Sequence, residues 1–174
     1  MRQTTAATAL FSVLALSGCL DVEEGIVDPP YDQDEITEIP AIEYQALVAL
    51  YESTNGTGWA NNVGWLQTNR PCSWYGVHCV GGTVYGLNFD ENRLEGTIPN
   101  ELGNLNELRE LFLRHNELEG LVPITVAVVG GSLSPNYHCE FAPGNAGLYM
   151  PNTPEYRAAD LDGDGYICRL GFTP

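Results

Sequence analysis

The sequence predicts an α+β fold, in which a short repeat solenoid has a helical cap at its N-terminal end and a small module at its C-terminal end. Two observations support this prediction. Two stretches within residues 84–123 match each other with a period of 24 residues, and a fixed period in this range is typical of a solenoid. Residues 160–168 carry alternating aspartates followed by a cysteine, which favours a small module stabilised by a disulfide and a metal ion.

Composition excludes several classes of function. The 174 residues include 23 acidic and 7 basic side chains, so the formal net charge is −16. Such a charge argues against nucleic-acid binding through a basic patch. Because all seven basic residues are arginine, the chain has no lysine for a Schiff base or a P-loop. The hydrophobic fraction of 44% is sufficient for a folded core.

Residues 1–18 predict an export signal. A single arginine precedes an apolar run at residues 9–16, which is too short to span a bilayer stably. Residues 16–19 resemble the lipobox of bacterial lipoproteins, whose cysteine becomes the lipid-modified amino terminus. This resemblance implies that Cys19 anchors the mature protein to a membrane, and Leu20 in the place of an aspartate favours the outer membrane. The alternative is an ordinary signal peptide with an incidental cysteine.

Residues 19–40 are predicted to hold the lipidated cysteine and an acidic tether. Residues 20–40 contain eight acidic side chains, three prolines and no basic side chain. Charge repulsion and proline stiffness favour an extended spacer that holds the folded part away from the lipid surface. A tail that binds cations or a partner with low affinity is the alternative.

The five cysteines also indicate export. If Cys19 carries lipid, the remaining four can pair locally as Cys72–Cys79 and Cys139–Cys168, and an oxidising compartment is expected. A zinc site is the alternative, because a histidine directly precedes two of these cysteines. Adjacent ligands rarely complete one tetrahedral site and no C-x₂-C spacing is present, so disulfides are favoured.

A helix is predicted at residues 41–53. Pro40 suits the first position of a helix, and turn residues at 55–58 end the pattern. The apolar residues between them recur at helical spacing: Ile42, Ala46, Leu47, Leu50 and Tyr51.

The two matching stretches have the form L-x-x-L-x-L-x-x-N-x-L, the leucine-rich form of a solenoid. In each stretch, alternate apolar residues of a short strand point inward. Asn92 and Asn116 follow these strands, and their amides can satisfy buried backbone groups. Gly96 and Gly120 tolerate the backbone geometry of the bend that comes next.

Residues 41–123 resemble the plant-type leucine-rich repeat with its amino-terminal cap. The resemblance rests on L-x-G-x-I/V-P in both stretches, on the Leu-Gly-Asn-Leu sequence at 102–105, and on the tryptophans and cysteines of residues 59–79. We assign this domain to residues 41–131. Only two repeats are recognisable, whereas a solenoid usually needs three, so the cap and the residues that follow must close its ends. Any contact surface is therefore small.

The outward positions of the two predicted strands form a candidate partner-binding face. Because they alternate with core positions, they lie on the opposite side of the strand. An exposed Phe112 flanked by opposite charges is typical of a modest protein contact, and a scaffold surface with one apolar residue is the alternative. The face consists of Asn88, Asp90, Glu110, Phe112 and Arg114.

The C-terminal aspartates match the first half of an EF-hand loop. Asp160, Asp162 and Asp164 occupy alternate positions, Gly165 permits the sharp turn, and Tyr166 can contribute its carbonyl oxygen. Spaced in this way, three carboxylates can converge on one calcium ion. The glutamate that usually closes such a loop is absent, which predicts weaker binding or a different closing oxygen.

Residues 137–169 resemble the Excalibur domain, a small extracellular bacterial module that ends in D-x-D-x-D-G-x-x-C-E. The resemblance implies calcium binding by the three aspartates and a disulfide between Cys139 and Cys168. Arg169 stands where the family has glutamate. We assign this domain to residues 132–174, and its small size favours stabilisation by a metal and a disulfide.

Together, these features predict a lipid-anchored surface protein that binds calcium and presents a short leucine-rich-repeat face to a protein partner. No catalytic residue is assigned, because His78, His115 and His138 lack a nucleophile partner in any recognisable motif. A secreted enzyme or enzyme accessory remains an alternative, because Excalibur modules are found appended to secreted nucleases. An inert structural envelope protein is the third possibility.

Overall fold

The structure is a computed structural model that describes residues 38–127, 138–159, 166–167 and 170–173. The predicted export signal, the lipidated Cys19 and most of the tether lie outside these residues. The same is true of residues 132–137, 160–165, 168–169 and 174 of the predicted C-terminal module, which include Asp160, Asp162, Asp164 and Cys168.

The first helix, α1, spans Ala41–Ser53, as the sequence predicts. It buries Tyr44, Ala46, Leu47 and Leu50 against the solenoid. The prediction that Ile42 lies on this apolar face is wrong, since Ile42 is 51% exposed. The buried position one residue further on belongs to Glu43.

An aromatic cluster covers the N-terminal end of the solenoid. Trp59, Trp65 and Trp74 are buried, and the rings of Trp59 and Trp65 both contact Phe89 of the first repeat. Their indole N–H groups are also satisfied. Trp59 donates to the Thr54 carbonyl at 2.9 Å, and Trp65 donates to a backbone carbonyl at the same distance. The cap is therefore joined to the first repeat by packing as well as by chain connectivity.

Four strands form the first sheet in the order β1-β2-β4-β6. Strand β1 is antiparallel to β2, whereas β2, β4 and β6 are parallel. The strands are β1 (Val77–Val80), β2 (Thr83–Asn88), β4 (Glu110–Phe112) and β6 (His138–Glu140).

Five strands form the second sheet in the order β3-β5-β7-β9-β8. All neighbours are parallel except β8 and β9. The strands are β3 (Glu95–Thr97), β5 (Glu117–Leu121), β7 (Gly147–Pro151), β8 (Tyr166–Ile167) and β9 (Leu170–Thr173). Two short helices, α2 (Ile124–Ala127) and α3 (Pro154–Ala159), and 3₁₀ turns at Gly56–Gly58, Pro71–Ser73 and Asn100–Asn104 complete the described part.

Strands β3 and β5 of the second sheet each contain a glycine with a positive φ. Gly96 and Gly120 have φ values of +114° and +82°, which confirms the predicted role of these residues. At Gly96 a Cβ atom would also lie 2.3 Å from the carbonyl oxygen of Ser53. The glycine therefore lets the repeat approach the end of α1.

The solenoid contains a third coil, formed by residues 138–151. Strand β6 continues the first sheet and β7 continues the second, so both sheets cross the boundary that the sequence analysis places between residues 131 and 132. Asn145 takes the place that Asn116 has in the second coil. Its amide donates to the carbonyls of Leu113 and Phe141, and its oxygen accepts the N–H of Leu118.

The third coil is hidden in the sequence because it breaks the repeat. Gly86 pairs with Glu110, 24 positions later, but Glu110 pairs with His138, 28 positions later. Cys139 and Phe141 also replace the core leucines of this coil. Only two repeats are recognisable in the sequence, but the structure has three coils stacked between the cap and the C-terminal strands.

Candidate functional site

The register of the first sheet brings the predicted partner-binding residues together. Asn88 of β2 is paired with Phe112 of β4, which is paired with Glu140 of β6. Glu110 lies two residues earlier on the same side of β4. We call this surface the strand face, and it consists of Asn88, Asp90, Glu110, Phe112, Arg114 and Glu140.

Phe112 is half-buried on this face. The sequence predicts an exposed phenylalanine, whereas the structure leaves only part of its side chain exposed. The reason is the third coil, which places β6 beside β4 and flanks Phe112 on its second side. A half-buried aromatic ring can be held in place by its neighbours and still present one edge to a partner.

Arg114 is held by carboxylates from the coils on both sides. Its backbone N–H donates to Asp90 at 2.7 Å, and its Nε donates to the second oxygen of Asp90 at 2.9 Å. A terminal nitrogen lies 2.7 Å from a carboxylate oxygen of Glu140. The hydrogen bond to Asp90 raises the pKa of the guanidinium, a group that is always charged in proteins. Arg114 thus links three coils and is not a free cation for a partner.

Glu110 occupies a notch in the face. The strand beside it has Gly86 at the paired position, and a Cβ atom there would lie 3.2 Å from a carboxylate oxygen of Glu110. The same Cβ would lie 3.5 Å from the Cβ of His78 on β1. The glycine therefore leaves room for the carboxylate to fold toward β1.

The predicted disulfide between Cys72 and Cys79 is confirmed, with an S–S distance of 2.08 Å. Cys139 is also disulfide-bonded, whereas its predicted partner Cys168 lies outside the described residues. Three of the cysteines considered as zinc ligands are thus engaged in disulfides. No group of three His, Cys, Asp or Glu side chains within the described residues could hold a metal ion.

Of the four predicted calcium ligands, Tyr166 lies within the described residues. Asp160, Asp162 and Asp164 lie outside the described residues, and Tyr166 is the first residue of β8. Strand β8 pairs with β9, which in turn pairs with β7 of the third coil. The residues that directly follow the aspartates therefore belong to the second sheet.

Sequence reasoning missed Glu140 of the strand face and Asn145 of the third coil. The available signal was His-Cys-Glu-Phe at 138–141, where alternate residues are of core type, followed by an asparagine at 145. The changed spacing concealed this signal, because it shifts the third coil out of the period.

No helix in the described ranges is long and apolar enough to cross a membrane.

Residues 84–105 match the family model described as Leucine Rich Repeat. The chain contains a leucine-rich repeat. Similar proteins from Arabidopsis thaliana extend the likeness. Receptor-like protein 5 is 37% identical over 60 residues, which cover 34% of this chain and 23% of that protein. Receptor-like kinase TMK4 is 36% identical over 83 residues, which cover 48% of this chain and 8% of that protein.

Among solved structures, the leucine-rich-repeat ectodomain of the receptor kinase SOBIR1 from Arabidopsis thaliana is similar to this chain. The sequence identity is 22% and the TM-score is 0.42, with 65% of this chain and 57% of that chain covered. The chain spans less than a quarter of the length of the two Arabidopsis relatives named above. The similarity to those relatives is therefore confined to a part of each protein.

Proposed function

We propose that this protein is exported, is anchored to a membrane by lipid on Cys19, and binds a protein partner through the strand face. One observation carries the binding role. The three parallel strands of the first sheet hold Asn88, Phe112 and Glu140 in one row, and Arg114 fixes the coils on either side.

The strand face has the chemistry of a small protein contact. The ring of Phe112 supplies apolar area at the centre of the row, and the amide of Asn88 and the carboxylate of Glu110 can make hydrogen bonds around it. Interfaces of this kind have an aromatic anchor surrounded by polar groups that exclude water. Because Arg114 is already paired, the partner would meet a preorganised surface, which lowers the cost of ordering side chains on binding.

Two further observations are consistent with an exported binding protein. The disulfides at Cys72–Cys79 and at Cys139 suit an oxidising compartment outside the cytoplasm. The two Arabidopsis relatives are named as a receptor-like protein and a receptor-like kinase, and this chain itself matches the leucine-rich-repeat model over residues 84–105. The proposed lipid anchor is inferred from residues 16–19 of the sequence alone.

The binding role is tested by photocrosslinking on intact cells that express the full chain. We expect Phe112→Ala to lose the partner crosslink while Ile42→Ala retains it, because Ile42 is an exposed apolar residue on α1, outside the strand face. Equal crosslinking by both variants and the unchanged chain would contradict the proposal. Loss in both, with an unchanged melting temperature, would also assign the contact elsewhere.

Calcium binding by Asp160, Asp162 and Asp164 is the second part of the proposal. Its support is the position of β8, which begins at Tyr166 directly after the aspartates and is tied to the second sheet through β9. An ion bound to the loop would stabilise the end of the solenoid, because a ligand that binds only the folded state raises its stability.

The calcium site is tested by the melting temperature of the full chain in calcium and in chelator. We expect a saturable rise with calcium that is lost in Asp162→Ala and in Asp164→Ala. Glu101→Ala is the control, since Glu101 is exposed in a 3₁₀ turn at a different position in the chain. No rise up to about millimolar calcium, the range of extracellular modules, would contradict calcium binding and leave the strand-face proposal untouched.

A further inference from the structure

The outer face of the second sheet carries an exposed apolar pair that the strand-face proposal does not use. Leu121 of β5 and Tyr149 of β7 are neighbours in register, and they are 43% and 44% exposed. The residues that alternate with them, Leu118, Leu148 and Met150, are buried in the core. The pair therefore points outward, because side chains alternate between the two faces of a strand. Tyrosine is one of the residues enriched at the centre of protein contacts.

An acidic groove adjoins this pair on the same strands. Its volume is ≈ 640 Å³, and Glu119, two residues before Leu121, forms part of its wall. The end of α1 forms the opposite side, where the partial negative charge of a helix C-terminus adds to the field. The groove is lined by Glu52, Ser53, Asn55, Glu95, Gly96, Glu117 and Glu119.

The carboxylates of the groove are placed unfavourably in the isolated chain. Glu95 and Glu117 are register neighbours on parallel strands, and like charges at such positions repel each other. The amide of Asn55 donates to Glu95 at 3.2 Å, but no ion pair within the described residues includes a groove carboxylate. The described ion pairs of Arg70, Arg109 and Arg114 are all made elsewhere.

We propose that this face binds a positively charged segment of a partner protein, with an apolar residue of that segment packed on Leu121 and Tyr149. Charge complementarity decides the occupant, because four glutamates and a helix C-terminus surround a groove without a basic side chain. The chain itself is poorly suited to supply the segment, since it has only seven basic residues and a strongly acidic tether. A single bound cation fits less well, because no described group of three acidic or histidine side chains could hold one.

A short synthetic peptide tests this proposal on the full chain. The probe is fluorescein-labelled Lys-Ser-Lys-Ser-Leu-Ser-Leu, whose lysines and leucines share one face when the peptide is extended. Two matched peptides replace either the lysines by glutamate or the leucines by serine. Binding is followed by fluorescence anisotropy at about 150 mM NaCl, where attraction between distant charges is screened.

We expect the probe to bind more tightly than both matched peptides, and Glu119→Lys to weaken it roughly tenfold. Glu101→Lys makes the same change in net charge at an exposed site outside the groove and should leave the Kd within about twofold. Tyr149→Ser should weaken the probe but not the peptide without leucines. Phe112→Ala should have no effect, which separates this face from the strand face.

Three outcomes would overturn the proposal. Equal weakening by Glu119→Lys and Glu101→Lys would mean attraction to the net charge of the chain and not to this face. Equal binding of the probe and the leucine-free peptide would remove the apolar anchor. Weaker binding of the probe to Phe112→Ala than to the unchanged chain would place the contact on the strand face instead.

Discussion

Asn116 illustrates how single residues hold the solenoid together. It is buried, and its oxygen accepts the backbone N–H groups of Asn92 and Leu94. Its amide donates to the carbonyls of Phe89 and Leu113, which lie in successive coils. Backbone groups at the bend of each coil cannot reach a strand partner, so a side chain must satisfy them.

Replacing Asn116 by alanine should therefore be costly. Two backbone N–H groups and two carbonyls would lose a buried partner, and each such loss costs about 1–3 kcal/mol. We expect Asn116→Ala to lower the free energy of unfolding by roughly 3 kcal/mol or more in urea denaturation. Asn106→Ala, at an exposed turn, should change it by less than about 0.5 kcal/mol. Similar losses in the two variants would contradict the role of the buried amide.

Glu43 is a buried carboxyl at the contact between α1 and the first repeat. One of its oxygens accepts the N–H of Val84 at 2.8 Å. Burial raises the pKa of Glu43 above its ordinary value of 4.5, although the hydrogen bond from Val84 opposes this shift. The folded state therefore holds the proton to a higher pH than the unfolded chain does.

The sign of the pH dependence follows from this raised pKa. The stability that protonated Glu43 contributes is fully present below pH 4.5 and is lost as pH rises through the raised value. We expect the free energy of unfolding of the unchanged chain, relative to Glu43→Gln, to fall over this range. Glu101→Gln, which makes the same chemical change at an exposed position in a 3₁₀ turn, is the matched control variant. A difference between the chain and Glu43→Gln that does not vary with pH would contradict the assignment.

At the scale of elements, the third coil belongs to the core of the solenoid. Phe141 is fully buried, and β6 and β7 extend both sheets. Tyr156 of α3 is buried as well, and its hydroxyl donates to the carbonyl of Val122 after the second coil. These contacts couple the C-terminal residues to the repeat, so we expect them to unfold together.

Phe141→Ala tests whether the third coil and the cap at the other end of the solenoid unfold together. Truncation of a buried phenylalanine costs about 3–5 kcal/mol. Because Trp59, Trp65 and Trp74 lie in the cap at the other end, their fluorescence reports whether the loss reaches the whole solenoid. We expect the fluorescence midpoint to shift together with the circular dichroism midpoint. Tyr149→Ala, an exposed change in the same coil, should shift neither appreciably, and a separate transition without a tryptophan change would indicate an independent module.

At the scale of the whole molecule, charge opposes folding. The formal net charge is −16, and the neighbouring Glu95 and Glu117 concentrate part of it on one sheet. Self-repulsion of this kind destabilises the compact state and is screened by salt. The acidic surface is thus a cost to the free chain that a cationic partner would reduce.

Salt should therefore stabilise the protein. Adjacent like charges cost about 0.2–1 kcal/mol, which corresponds to a rise of up to about 2–4 °C in melting temperature when they are screened. We expect such a rise when NaCl is increased from about 10 mM to 500 mM, where the screening length falls severalfold. Glu117→Gln should start from a higher melting temperature and gain less from salt. A melting temperature that falls with salt would contradict this account.

The sequence by itself determined the cap helix, the inward positions of two repeats, the two bend glycines and the Cys72–Cys79 pair. Each of these depends on residues close in the chain, because helical spacing, strand alternation and short loops are local. The tertiary structure alone decided the third coil, the half-burial of Phe112, the partners of Arg114 and the burial of Glu43. These features depend on which distant segments stack side by side, and an altered spacing between coils removes that information from the local pattern.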